Sequence, residues 1–379
     1  MQLTVADARA QAQRRLPRIF FEYLDGGAAS ETTLRANEAD FARFQLEQRV
    51  LTGHTAPSLK TKMLGRPRSL PFMLGPIGFL GLYAGDGEIK AARAAAKAGI
   101  PFCLSSFSLA SITRLAKKIE AQPVFQLYML KDRDLTRTML TQARAAGVET
   151  LFLTVDCAVT GIRERDLRTG FRYMTHLTPS LALRFLRKPR WCLSQLSHRK
   201  WRVEALVGHK AFGRGLFAQA AALAAQMDGT LTWDNLTWLR EQWHGKIMLK
   251  GILHPEDAFW AQQMGMDGLI VSNHGGRQLD GASSTIVRLG EIVAAAPGLE
   301  VLVDGGFRHG TDILKALALG ASGVLLGRPT AYALAAKGEA GVSAMITTLA
   351  KEMETALALM GCPDIATLRA EGARFIRQV

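Results

Sequence analysis

The stretch Gly268-Leu269-Ile270-Val271-Ser272-Asn273-His274-Gly275-Gly276-Arg277-Gln278-Leu279-Asp280 sets the reading of the whole chain. Its first four residues are a short apolar run of the kind a buried parallel strand makes. The residues after them put a base, two glycines and a cation at one strand tip. Glycine lets the backbone turn sharply or approach a ligand closely. Histidine exchanges a proton near neutral pH, and arginine grips a carboxylate through two parallel hydrogen bonds. Taken alone, the stretch also reads as a polar loop after a strand, so the other strands decide.

From residue 70 short apolar runs alternate with amphipathic stretches. Eight runs stand out, at 71–78, 100–106, 124–128, 150–156, 246–251, 268–274, 299–306 and 323–328. Helical periodicity follows several of them, at 87–98, 134–146, 255–264, 285–296 and 311–319. This predicts an α/β protein whose eight βα units close into a (β/α)8 TIM barrel, with its active site at the C-terminal ends of the strands. The whole chain of 379 residues then reads as one domain. Ahead of the barrel, the chain to about residue 60 reads as helical. Pro17 opens a short helix carrying Phe20, Phe21 and Tyr23, and Gly26-Gly27 ends it.

The strand tips test the barrel reading. They are Pro76-Ile77-Gly78, Ser105-Ser106, Gln126-Leu127-Tyr128, Thr154-Val155-Asp156, Lys250-Gly251, Ser272-Asn273-His274, Asp304-Gly305-Gly306-Phe307-Arg308 and Gly327-Arg328. Each apolar run ends in glycine, a hydroxyl, an amide or a charge. Burying such groups without a polar ligand costs several kcal/mol in total, so one large polar ligand across the barrel mouth is expected. The last two tips suit a phosphate, held by glycine amides, Arg308 and Arg328. Ser105, Gln126 and Thr154 suit the edge of a polar ring system, and Lys250 supplies a positive charge. Together they suit flavin mononucleotide. No G-x-G-x-x-G opens a helix after a strand, which argues against a Rossmann nicotinamide site.

Composition narrows the field. No apolar run reaches the ~18 residues a membrane span needs, and the first residues carry no signal core, so neither a spanning helix nor secretion is expected. Four scattered cysteines, Cys103, Cys157, Cys192 and Cys362, form no C-x-x-C pair. A reduced, cytoplasmic protein without disulfides or bound metal is expected. The net charge of +14 favours an anionic partner. More than 70 residues separate Asp156 from the helix near Trp233, where a few would do. Within that connection, residues 171–210 hold nine Lys or Arg against one acid, Glu204, with leucine, phenylalanine and tryptophan interleaved. Such a segment suits the surface of an anionic membrane; the alternative is a lid over the barrel mouth. Pro179 and Pro189 forbid one continuous helix, so a broken, partly disordered segment is expected. No nucleic-acid module accompanies the charge.

Ser272 to Asp280, with Phe125-Gln126-Leu127-Tyr128, Thr154-Val155-Asp156 and Asp304-Gly305-Gly306, resembles the signature of the FMN-dependent L-2-hydroxy acid oxidases and dehydrogenases, nearly end to end. The segments 158–167 and 361–365 look most like the membrane-associated (S)-mandelate dehydrogenases, with L-lactate dehydrogenases next. The resemblance implies oxidation of an (S)-2-hydroxy acid to the 2-oxo acid, with FMN as cofactor. It casts His274 as the base, oriented by Asp156. Arg277 and Tyr23 would bind the substrate carboxylate, Arg163 would add a second arginine, and Tyr128 would lie near the substrate hydroxyl. Lys250 would sit beside the flavin. Pro76, Ile77, Gly78, Ser105, Gln126, Thr154, Ser272, Asp304 to Arg308 (with Gly305, Gly306 and Phe307), Gly327 and Arg328 fall on flavin-binding positions.

The resemblance also implies a homo-oligomer, a tetramer, on the inner face of the cell membrane with a quinone or other respiratory acceptor. Many relatives have a threonine where this chain has Ile77, and glycolate oxidase-like members a tryptophan where it has Phe107. Gly78 stands where oxygen-using relatives often carry alanine, so slow reaction with oxygen is expected. The expected substrate is (S)-mandelate or another bulky 2-hydroxy acid, with lactate second. The alternatives are an oxygen-using hydroxy acid oxidase and a flavin- or phosphate-binding barrel that isomerises its substrate.

Overall fold

The computed structural model describes residues 4–171, 174, 178–196, 201–204 and 215–379. Each of the eight predicted runs contains one strand. They are β1 (Phe72–Leu74), β2 (Cys103–Ser105), β3 (Val124–Leu127), β4 (Thr150–Thr154), β5 (Lys246–Ile252), β6 (Gly268–Val271), β7 (Glu300–Val303) and β8 (Gly323–Leu326). All neighbours are parallel, in the order β1-β8-β7-β6-β5-β4-β3-β2, and a bridge from Leu74 to Phe102 closes the ring. The predicted helices are present too, among them Gly87–Lys97, Arg133–Ala145, Pro255–Gln263, Thr285–Ala295 and Gly310–Ala318.

Met73, Cys103, Val124, Phe152, Met248, Ile270, Leu302 and Leu325, one from each of the eight strands, pack with Met63 and Leu64 inside the barrel. The last two come from the hairpin Thr61–Met63/Arg66–Arg68, which plugs the N-terminal end, with Leu64 N–H donating to Glu300 at 2.6 Å. The C-terminal end is left for polar chemistry. One ladder is irregular there: the β5–β6 register shifts between Lys250 and Ile252, around Gly251 at φ 114°.

The N-terminal segment is helical over α1 (Val5–Arg15), α2 (Arg18–Asp25) and α3 (Thr32–Ala39), then a 3-10 turn to Arg43. The expectation of helix to about residue 60 fails beyond that. Phe44–Leu46 is a strand paired antiparallel with Ile376–Gln378. Its partner lies at the far end of the sequence, so no local pattern reveals it.

Among the described residues, the long connection after β4 holds the helices α4 (Glu164–Thr169), α5 (Pro179–Leu186), α6 (Pro189–Gln195) and α7 (Leu216–Gln226), ahead of the helix Asn235–Gln242. Pro179 and Pro189 each open their own helix, where the missing N–H costs nothing. The expected disorder bears on residues such as 197–200 and 205–214, which lie outside the described ones. The interleaved apolar residues divide. Phe185 and Trp191 are buried against Phe20, with ring centroids 5.3 and 5.5 Å away. Trp191 also donates its indole N–H to Leu82 O at 2.8 Å. On the other side Leu183, Leu186, Leu193 and Leu196 are 57–78% exposed.

Candidate active site

A cavity of about 490 Å³ opens at the C-terminal end of the barrel, and residues at or just beyond all eight strand tips line it. His274 stands at its centre. β6 ends at Val271, and His274 follows in the left-handed region at φ 58°, a conformation a non-glycine residue holds only when its surroundings fix it. Its N–H donates to Ser272 Oγ at 3.1 Å. Its Nδ1 lies 3.0 and 3.1 Å from the Asp156 carboxylate oxygens. That leaves Nε2 on the cavity side, 3.5 Å from the Tyr128 hydroxyl. Burial pushes the Asp156 carboxyl up, but His274 and then Lys250 outweigh it and hold it below the usual range. Burial pushes the Tyr128 phenol well up, reinforced by Cys157 and Asp156, so it stays protonated. Asp156 can sit here because residue 251 is glycine: a Cβ there would lie 2.5 Å from that of Asp156.

Beside His274, Arg277 donates to Tyr23 O at 2.7 Å and Gly26 O at 3.0 Å, its guanidinium 4.8 Å over the Tyr23 ring. Arg163 donates to Arg277 O at 3.3 Å. Burial, then the charge of Arg277, lowers the pKa of Arg163. Two guanidiniums on one buried wall repel each other unless an anion lies between them. The structure thus gathers Tyr23, Tyr128, Arg163, His274 and Arg277 around one cavity.

The predicted cofactor residues form the rest of the wall. Lys250 contacts Asp304 at 2.9 Å and donates to Ser272 Oγ at 3.0 Å. Burial works against its charge, but Asp304 and Asp156 more than restore it and raise its pKa. Ser105 donates to Gln126 Oε1 and Gln126 to Thr154 Oγ1, each at 2.9 Å, and all three are buried. Gln126, Thr154 and Ser272 lie just behind the cavity surface; Pro76, Ile77, Gly78, Ser105, Lys250 and Asp304 to Arg308 are on it, with Gly327 and Arg328.

Three features test whether FMN fits. Asp304 Oδ1 is buried and accepts no hydrogen bond among the described residues, so it wants a hydroxyl donor such as a polyol chain offers. Gly305 and Gly306 hold φ of 100° and 83°, and a Cβ on Gly306 would collide with the Asn37 carbonyl. Among the described residues Arg328 donates to the carbonyls of Leu24, Gly26 and Gly275, and burial lowers its pKa to about 10. A buried guanidinium with no paired carboxylate among the described residues suits a phosphate. Arg308 lines the same corner, its charge shared with Glu38 at 2.6 Å. The residues fit the cofactor.

Other supports went unread in the sequence. Asn37 and Asn273 exchange side-chain amide hydrogen bonds at 2.9 and 2.8 Å, tying α3 to the signature loop. Asp280 accepts from Ser30 Oγ and Thr33 N, both at 2.9 Å. Gln278 donates to Asp156 O and Val159 O at 2.7 and 2.8 Å, latching the start of the long connection. Phe171 stacks on Tyr23 at 4.1 Å, and α7 lines the cavity with Leu216, Phe217, Ala220, Ala221 and Ala224. Only the polarity of the signature residues hinted at any of this. His54, His244, His254 and His309 are exposed, the last two at helix starts. His176, His198 and His209 lie outside the described residues.

Comparison with known proteins accords with this site. Residues 12–374 match the FMN-dependent dehydrogenase family. An L-lactate dehydrogenase from Pectobacterium atrosepticum is 44% identical over 377 residues, covering 96% of this chain and 95% of its own. The crystal structure of the monotopic membrane protein (S)-mandelate dehydrogenase superposes with a TM-score of 0.94 at 40% identity, covering 100% of this chain and 99% of its own. A mandelate oxidase with (S)-4-hydroxymandelic acid follows at TM-score 0.85 and 36% identity, covering 99% of each chain. The chain belongs to the FMN-dependent dehydrogenases, takes FMN as its cofactor, and falls among members named for oxidising 2-hydroxy acids.

Proposed function

We propose that this enzyme oxidises (S)-2-hydroxy acids with a bulky apolar side chain, (S)-mandelate foremost, to the 2-oxo acid and hands the electrons to a membrane quinone. One observation carries the reading. The free Nε2 face of His274 and the paired guanidiniums of Arg163 and Arg277 open on the same cavity. Arg277 and Arg163 hold the carboxylate, with Tyr23 beside them. That fixes the 2-hydroxyl or the α-carbon hydrogen towards His274, which takes the proton on Nε2. Asp156 keeps Nδ1 protonated and stabilises the imidazolium that forms. Tyr128, neutral and 3.5 Å from Nε2, orients the hydroxyl. FMN, when bound, supplies the two-electron acceptor; Lys250 would hold its ring edge, Asp304 its polyol chain and Arg308 with Arg328 its phosphate.

The substrate side chain faces apolar walls. Ala220, Ala221 and Ala224 leave room that Phe79, Phe107 and Phe217 bound with aromatic surface. A methyl group would leave that surface uncovered, whereas a phenyl ring covers it. Lactate is the second reading, favoured by the relatives named L-lactate dehydrogenase at 44% identity. Anaerobic bleaching of the flavin by mandelate, lactate and glycolate tests the reaction, and kcat/KM ranks the substrates. No bleaching by any of them overturns the reading; a tenfold preference for lactate over mandelate reverses the order. Gly78 presses on Phe107, with only 3.3 Å between a Cβ there and that of Phe107. Rapid peroxide formation would move the enzyme to the oxidases.

No helix among the described residues is long and apolar enough to cross a membrane. A peripheral seat on the inner face of the membrane is proposed instead, supported by α5 and α6. Their exposed face carries Leu183, Leu186, Leu193 and Leu196 beside Arg184, Arg187 and Arg190. Leucines give shallow insertion and each cation near an anionic surface adds about 1 kcal/mol.

A further inference from the structure

Behind the base lies a thiol that the proposed chemistry does not use. Cys157 Sγ is 3.4 Å from Asp156 Oδ1 and 3.6 Å from His274 Nδ1, and those two atoms are 3.0 Å apart. A carboxylate oxygen, an imidazole nitrogen and a thiolate sulfur bound to one tetrahedral zinc ion lie roughly 3.3–3.7 Å from one another, given bond lengths of about 2.0–2.3 Å. The three atoms here need to shift by only a few tenths of an ångström. Cys157 and His274 both line the cavity, so an ion can arrive by the substrate's route. Lys250 has Asp304 2.9 Å away and Arg163 has Asp166 at 3.8 Å, so neither cation depends on Asp156 alone.

We propose that Asp156, Cys157 and His274 form a site for a thiophilic divalent cation, zinc or cadmium, whose binding switches the enzyme off. The thiolate and the carboxylate neutralise the ion, which is the charge balance a partly buried site requires. Binding replaces the thiol proton and the Nδ1 proton. One leaves to solvent and the other is taken up by Nε2. A neutral imidazole with metal on Nδ1 thus carries its only proton on the nitrogen that must accept one, and Asp156 is drawn off its orienting bond. Inhibition, though not binding, rests on His274 being the base.

The test uses the FMN-loaded enzyme titrated with cadmium chloride. Equilibrium dialysis should find one cadmium per chain, accompanied by a thiolate-to-cadmium absorption band, and dye reduction should fall in step and recover on adding chelator. Cys157→Ser and Cys157→Ala should lose the band and need at least tenfold more cadmium for half inhibition, each rate being normalised to its own metal-free value. Cys192→Ser should behave as wild type, since Cys192 is the other thiol that is not buried. No stoichiometric cadmium or no band in the wild type, or unchanged inhibition in both Cys157 variants, overturns the site. Stoichiometric binding through Cys157 with turnover intact overturns the inhibition and with it the role of His274 as base.

Discussion

His274 departs from the ordinary rules for a side chain, being partly buried, held in the left-handed backbone region and tied at Nδ1 to a carboxylate. Such strain, on the order of 1–3 kcal/mol, survives when the neighbours over-determine it. Here Ser272, Asp156 and the loop glycines do so. His274→Gln should therefore keep bound FMN and lose turnover by about 10²–10⁴-fold, the span general bases supply. Flavin reduction at near wild-type rate in a stopped-flow trace would end His274's candidacy. Gly251 is a less obvious dependency. Its φ of 114° and the 2.5 Å approach to Asp156 leave no room for a methyl group. Gly251→Ala should push Asp156 off Nδ1 and slow turnover on the order of 10²-fold, since a 1 Å misplacement can cost that much. An unchanged kcat would mean that Asp156 does not orient the base.

Eight strands were legible as elements because each is a short apolar run with a polar end, and the helices between them because their apolar positions recur at helical spacing. The long connection was legible only as an excess of length, charge and leucine. Which residues turn inward depends on Phe20, far away in the sequence, and on Leu82. Likewise α7 reads as an anonymous alanine-rich helix until the fold sets it against the cavity, and Asn37 as one more polar residue until Asn273 faces it. The division allows a test of the membrane seat that leaves the contacts of Phe20 in place. Replacing Leu183, Leu186, Leu193 and Leu196 together by serine should leave stability within about 1 kcal/mol, as exposed positions do, and release the enzyme from anionic vesicles in a flotation assay. Phe185→Ala should instead cost about 3 kcal/mol by opening a cavity against Phe20 and Trp191. Vesicle binding that survives the four substitutions would show that α5 and α6 do not insert.

Across the whole molecule, one buried carboxylate gathers the N-terminal segment and two later elements, in addition to the Asn37–Asn273 and Thr33–Asp280 hydrogen bonds. Asp25, at the end of α2, accepts from Arg9 of α1 at 2.6 and 2.7 Å, from Arg165 of α4 at 3.1 Å and from the Tyr332 hydroxyl at 2.7 Å. Tyr332 belongs to the helix that starts at Arg328 and breaks at Lys337-Gly338, so four elements meet there. Next in sequence, Gly26 offers the carbonyl that holds both Arg277 and Arg328, so this junction also sets the arginines proposed to hold the substrate carboxylate and the phosphate. Burial alone would raise the Asp25 carboxyl, but Arg9, then Tyr332, then Arg165 outweigh it and hold it below the usual range. The folded state then binds the proton less readily than the unfolded chain, whose aspartates titrate near pH ~3.9. This stabilisation is present above that value and drains away as pH falls through the lower folded-state value. Asp25→Asn keeps the shape and deletes the charge. It should cost on the order of 1–2 kcal/mol at pH 7, because Arg9 loses its carboxylate while Arg165 keeps Glu22 and Glu31, and the gap from wild type should shrink steadily below about pH 4. Urea unfolding of the FMN-loaded proteins at pH 7, 5 and 3 measures it. A gap of the same size at pH 3 and pH 7 would show that the junction is held by packing and not by charge.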